Sequence, residues 1–152
     1  MTAPSLSHSR TNAHLFAEFV QKYTGSVYSL SSILTESSVK AEEVSIHTFA
    51  ELHKSFRQDR FNPQLGPIQA YQICIRECYA FLESCTSSSE IMLCPADKVL
   101  CALRFGLKLP LSEISAVLEE TPPALKAKLR RVREKMNGEI KHSYLNSTHV
   151  IV

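Results

Sequence analysis

The chain has no tryptophan, only four glycines, and no apolar run of the ~18 residues that a membrane-spanning helix requires. The first absence removes the largest aromatic stacking surface. Scarcity of glycine, with no HExxH and no Gly-rich phosphate loop, gives neither a zinc-hydrolase helix nor a nucleotide cradle. His8, His14, His47, His53, His142 and His149 are scattered, and the six-residue step from His47 to His53 points the two rings in different directions on one helix. No metal, no cofactor and no enzymatic activity are expected. The opening MTAPSLSHSR lacks the apolar core of a signal peptide, so the expectation is a cytoplasmic protein with no membrane insertion. Five cysteines stand at 74, 78, 85, 94 and 101 without a CxxC pair, and an odd count in a reducing compartment argues for thiols. Cys74 and Cys78 lie one turn apart beside Ile73 and Ile75, which reads as buried small hydrophobes, with a zinc or redox role as the minor alternative.

What is present is helical periodicity, and nothing alternates as a strand; the expected class is all-α. Leu15, Phe16, Phe19, Val20, Tyr23, Val27 and Leu34 mark a long amphipathic helix, with an interruption expected near Gly25. A second spans about Val39 to Phe56, with Ala41, Val44, Thr48, Leu52 and Phe56 on one side. Asn62-Pro63 and Gly66-Pro67 predict a loop over 57–67, and Ile68 to Leu82 reads as a central helix, apolar nearly all round. SCTSSSE has linker composition. The predicted organisation is therefore a helical bundle over 12–83, a short polar linker at 84–90, a second small helical domain over 91–138, and a tail at 139–152, unstructured or pairing as a short strand. Pro95 and Gly106 bracket the first helix of the second domain.

Charge divides in the same place. Residues 1–90 hold 7 Lys and Arg against 9 Asp and Glu, whereas residues 91–152 hold 10 against 6. Basic character belongs to the second part, as contact with phosphates requires.

Its source is EISAVLEETPPALKAKLRRVR, from Glu113 to Arg133, which reads as helix, tight turn and helix. Ser112 is the expected N-cap of the first, and Glu113 suits the positive helix end. Thr121 followed by Pro122 starts the second. Ile114, Val117 and Leu118 face Leu125, Leu129, Val132 and Met136. Lys126, Lys128, Arg130, Arg131, Arg133 and Lys135 remain outside, six cations in ten residues with Glu134 the one acid among them. Such a ridge on a helix introduced by a short turn points to the DNA major groove ahead of a merely solvated face. Where turns of this kind often carry Gly, Glu119 stands, so either it adopts a left-handed conformation or the turn differs.

A bundle, a linker and a basic helix-turn-helix in this order resemble the extracytoplasmic-function sigma factors of bacterial RNA polymerase, which have two helical domains, sigma regions two and four. DKVLCALRFGLKLPLSEISAVLEETPPALKAKLRRVREKM is similar to region four, and FAEFVQKYTGSVYSLSSIL with AEEVSIHTFAEL is similar to region two. The resemblance covers about residues 15–140. It implies promoter DNA, core RNA polymerase and an anti-sigma factor as partners. It implies base-facing roles for Lys126, Ala127 and Arg130, and phosphate-facing roles for Lys128, Arg131 and Arg133, with Ser112 added at the start of the first helix. For Arg131 the competing reading is an ion pair with Glu134.

By the same resemblance, Ala41, Glu42, Glu43, Val44, His47, Thr48, Phe49 and Leu52 match the surface that docks on the largest polymerase subunit. Phe49 has two readings, exposed anchor or bundle core. Ile46 replaces a common Gln, and Glu43 an Asp. The strand-opening part departs further: YQICIRECYAFLESC has no Trp and a single cation, Arg76. Phe56, Arg57, Arg60 and Phe61 are the residues left to hold a displaced strand, or else they cap the bundle. Three functions follow: a working sigma factor, a sigma-like protein that binds an anti-sigma factor or needs a second subunit to open DNA, and a simple helix-turn-helix regulator.

Overall fold

The computed structural model describes residues 3–58, 61–84 and 93–147. Among them every element is a helix, so the all-α class holds. Helix α1 spans Ala3–Thr35, α2 Ser38–Gln58 and α3 Gly66–Ser84. Each of these three packs against the other two. Buried Phe19, Val27, Leu30 and Leu34 of α1 meet Val44 and Leu52 of α2 and Ala70, Tyr71, Cys74 and Cys78 of α3. No helix among the described residues is long and apolar enough to cross a membrane.

Local chemistry sets the boundaries. Glu36, at φ 54°, takes the left-handed conformation that ends α1. Ser37 Oγ then accepts from Lys40 N at 3.3 Å, capping α2. Gly25 does not interrupt α1: its position faces open space, and the intrahelical ladder runs through it. Nor do Gly66 and Pro67 break a helix. They start α3, where proline in the first turn loses no donor that the helix would have used. The predicted loop over 57–67 is correspondingly shorter, since α2 runs to Gln58.

The second group begins with α4, Pro95–Cys101, which continues into a π-helical turn at Ala102–Gly106. Helix α5 spans Leu111–Leu118 and α6 spans Pro122–Ser147. The tail expectation is corrected here: helix continues through 139–147, and 148–152 lie outside the described residues. Most of the expected linker, 85–90, also lies outside them. The helices on its two sides nevertheless share one contiguous set of buried side chains, running from Phe19 to Leu125. Gly106 lies close against α1, where a β-carbon would sit 2.5 Å from the end of the Ile33 side chain.

Candidate nucleic-acid interface

Helix α5 starts from Pro110, whose extended backbone (φ −68°, ψ 155°) places its carbonyl to accept from Glu113 N and Ile114 N, both at 3.1 Å. Ser112 is therefore not the N-cap. The helix begins one residue before it, at Leu111, and Ser112 stands exposed in the first turn. At the other end Glu119 takes φ 54° and ψ 42°, the left-handed conformation that a short turn demands of this position. Glu120 N bonds back to Ser115 O at 3.2 Å, and Ser115 Oγ donates to Glu120 O. Thr121 caps α6 as its sequence suggests, with Oγ1 accepting from Ala124 N at 3.4 Å. Ile114 and Val117 of α5 and Leu125 and Val132 of α6 are buried, with Leu118 and Leu129 half-buried beside them.

The six cations of α6 do not form a single ridge. At 3.6 residues per turn, Lys126, Arg130 and Arg133 form one stripe, and Lys128, Arg131 and Lys135 form another on the opposite side of the buried face. Lys126, Ala127, Arg130 and Arg133 are exposed. Among the described residues no ion pair engages Lys126, Arg130, Arg131, Arg133 or Lys135, so the alternative pairing of Arg131 with Glu134 is not formed. Lys128 differs. Its ammonium is half-buried and paired with Glu120, and this changes its expected role from phosphate contact to a clasp between the turn and α6. Arg131 and Lys135 project along a cavity between α4 and α6.

The positions matched to polymerase docking separate by burial. Ala41, Val44, Thr48 and Leu52 lie on the face of α2 that packs into the bundle, so they cannot present side chains to a partner. Their expected role as contacts is corrected to core packing. Phe49 is half-buried with its ring edge toward Phe19, centroids 6.2 Å apart, nearer the core reading. Glu42, Glu43 and His47 are exposed. Beside them stand two apolar residues that periodicity alone does not single out, Val39 at 65% exposure and Ile46 at 61%. Seven residues apart, they share one outer face of α2.

The two aromatic strand-contact candidates, Phe56 and Phe61, are drawn into the bundle. Phe56 stacks on Phe16 at 5.4 Å and 9°, and Phe61, only 6% exposed, sets its edge on Phe16 and Phe19 at 5.3 and 5.1 Å. Phe61 is thus a core residue, and of the two readings the cap on the bundle is the one formed. Arg57 is exposed, and Arg60 lies outside the described residues.

Cys74 and Cys78 are buried, with Cys74 Sγ 3.1 Å from Ser31 Oγ. The hydrogen bond to Cys74 and burial hold the Cys78 thiol well above the ordinary thiol range. No group of three His, Cys, Asp or Glu with ligand geometry occurs among the described residues. Neither the comparison with protein-family models nor that with curated proteins returns a match for this chain.

Proposed function

We propose that the chain is a promoter-recognition protein of the extracytoplasmic-function sigma type, which joins core RNA polymerase in the cytoplasm and reads duplex DNA through α6. One observation carries this reading: Lys126, Arg130 and Arg133 are exposed, with no ion-pair partner among the described residues, on a helix held by a capped, left-handed turn against α5. Arg130 offers a bidentate donor to guanine and Ala127 an apolar surface to a thymine methyl, while Arg133 suits a phosphate. The polymerase-facing role falls to the exposed part of α2, namely Glu42, Glu43 and His47 with Val39 and Ile46. In this reading the protein performs no catalysis of its own.

A specific observation favours one variant of it. Phe56 and Phe61, the aromatics nearest in sequence to a strand-holding role, are occupied in the bundle. Promoter opening then draws on a second polypeptide, or the chain acts chiefly through an anti-sigma factor. Selection of random duplexes by the full chain, repeated with Arg130→Ala, tests base reading; loss of preference at one position supports it, and no enrichment of any sequence defeats it. Capture of core polymerase by the chain separates a sigma-type protein from a simple helix-turn-helix regulator. Run-off transcription with the reconstituted holoenzyme, with and without added partners, separates a self-sufficient factor from one that needs help.

A further inference from the structure

The elements that lead into α6 are short. Helix α4 has 7 residues, the π-helical turn 5 and α5 8, whereas helices below about 12–15 residues are marginal on their own in water. Their stability comes from what they pack against, and much of that support is the bundle. The π-helical turn lies more widely on α1 than on α5, and α5 lies more widely on α3 than on α6, its own partner in the helix-turn-helix. Tyr71 and Ile75 of α3 line the same clefts as Val117 of α5, and all three are buried. Gln72, beside them, donates to Val117 O at 3.1 Å and so serves one of the carbonyls that α5 leaves without a partner. Domains joined only by a tether share a small surface, more polar than a core. Here the buried set runs from Phe19 in α1 to Leu125 in α6.

We propose that the bundle and the helix-turn-helix are one cooperative unit, in which α1 and α3 hold α5, and through it α6, in a single pose, so that the chain on its own engages one continuous stretch of duplex rather than two separated promoter elements. Parting the halves uncovers Tyr71, Ile75 and Val117 and releases the α5 carbonyl from Gln72, so it costs stability in the whole fold. The Lys126, Arg130 and Arg133 stripe and the outer face of α2 with Val39 and Ile46 are then fixed relative to one another. A partner that grips α2 thereby sets the direction in which α6 approaches DNA. Gln72 is a positioning residue in this scheme: it acts on α6 through α5. The consequence for DNA rests on the reading of α6 given above, whereas the cooperative unit does not.

Hydrogen exchange of the full chain, read by mass spectrometry in urea below the unfolding midpoint, tests the unit without any DNA. Peptides from α3 and α5 should lose protection with one urea dependence. Opening of α4 to α6 at lower urea, while α1 to α3 stay protected, overturns the proposal. Gln72→Met removes the donor and should speed exchange in α3 and α5 alike, by about fivefold, the effect of losing one such bond. Acceleration confined to α5 overturns it as well. Should that variant not fold, the unaltered chain decides alone. Hydroxyl-radical footprinting of the full chain on its best selected duplex should show one protected stretch; two stretches more than about one helical turn of DNA apart, ~10 base pairs, overturn the single pose. Failure to bind any duplex strikes the DNA reading of α6 instead, and the exchange result still decides the cooperative unit.

Discussion

Gln72 Nε2 donates to Val117 O at 3.1 Å, so a side chain of the amino-terminal bundle satisfies a terminal carbonyl of the first helix of the helix-turn-helix. Ala116 O lies within reach of the same nitrogen at 3.4 Å. The last carbonyls of a helix have no partner within it, and α5 borrows one from α3. Gln72→Ala should therefore lower stability by about 1 kcal/mol, the net value of such a bond. Urea denaturation followed by circular dichroism measures it; an unchanged midpoint would show that the contact carries no free energy.

Glu119 is held at φ 54°, where a side chain is disfavoured and glycine is not. Left-handed backbone costs an L-residue roughly 1–2 kcal/mol, part of which glycine gives back through its own conformational freedom. Glu119→Gly should raise stability by about 0.5–1 kcal/mol. Glu119→Val, β-branched, should lower it, and a thermal melt in which the two variants agree would contradict the assignment of strain to this turn.

Helices, the Thr121 cap and the two facing stripes of α5 and α6 were legible in sequence because period and capping are local properties. Burial of Cys74 and Cys78 was legible for the same reason, the apolar run around them. Errors arose where a residue type has two local uses. Gly66 and Pro67 break a helix or begin one, and only the closeness of Phe19 and Phe61 to Gly66 shows which. Ser112 has the chemistry of a cap, yet helix α5 starts from the proline before Leu111. Tertiary facts were out of reach: that Phe61 enters the core and that Ile33 meets Gly106 depend on residues distant in sequence, and that Lys128 turns back to Glu120 depends on how the turn folds. The site was legible as a basic helix whose cations divide into two stripes by helical period, but the different surroundings of the stripes needed three dimensions.

Gly66 is closely packed within the amino-terminal bundle. A β-carbon there would lie 2.9 Å from Phe19 Cε2 and 3.0 Å from Phe61 Cζ. Both rings are buried and belong to one aromatic cluster, so neither can swing into solvent. Gly66→Ala should destabilise by about 1–3 kcal/mol, the range for overpacking a close-packed core. Phe61→Leu in the same chain should recover part of that loss, and a double-mutant cycle without coupling would refute the contact.

Thiol labelling separates the cysteines by burial. Cys94 is exposed, whereas Cys74 and Cys78 are buried and the Cys78 thiol is held above its ordinary range by its hydrogen bond to Cys74 and by burial. Burial keeps a reagent from Cys74 and Cys78, so Cys94 should label in native conditions and the pair only on unfolding. Peptide mass spectrometry of the labelled chain reads this directly, and rapid native labelling of Cys78 would contradict its place in the core.

The two stripes of α6 make separable predictions for DNA. Each cation that meets a phosphate releases counterions, so its removal lowers the dependence of affinity on salt. Arg133→Ala should weaken binding to all sequences alike and reduce the salt slope by about 1, while Arg130→Ala should cost about 1–3 kcal/mol at a single base position. Lys128 is already paired with Glu120, and its ammonium holds the turn rather than a phosphate. Lys128→Met should therefore leave the slope nearly unchanged and lower the melting temperature instead, because it strips the partner from a carboxylate whose other oxygen is buried. Anisotropy titrations at several salt concentrations, beside thermal melts, distinguish these outcomes. A Lys128→Met slope as reduced as that of Arg133→Ala would return Lys128 to the DNA face and erase the division between the stripes.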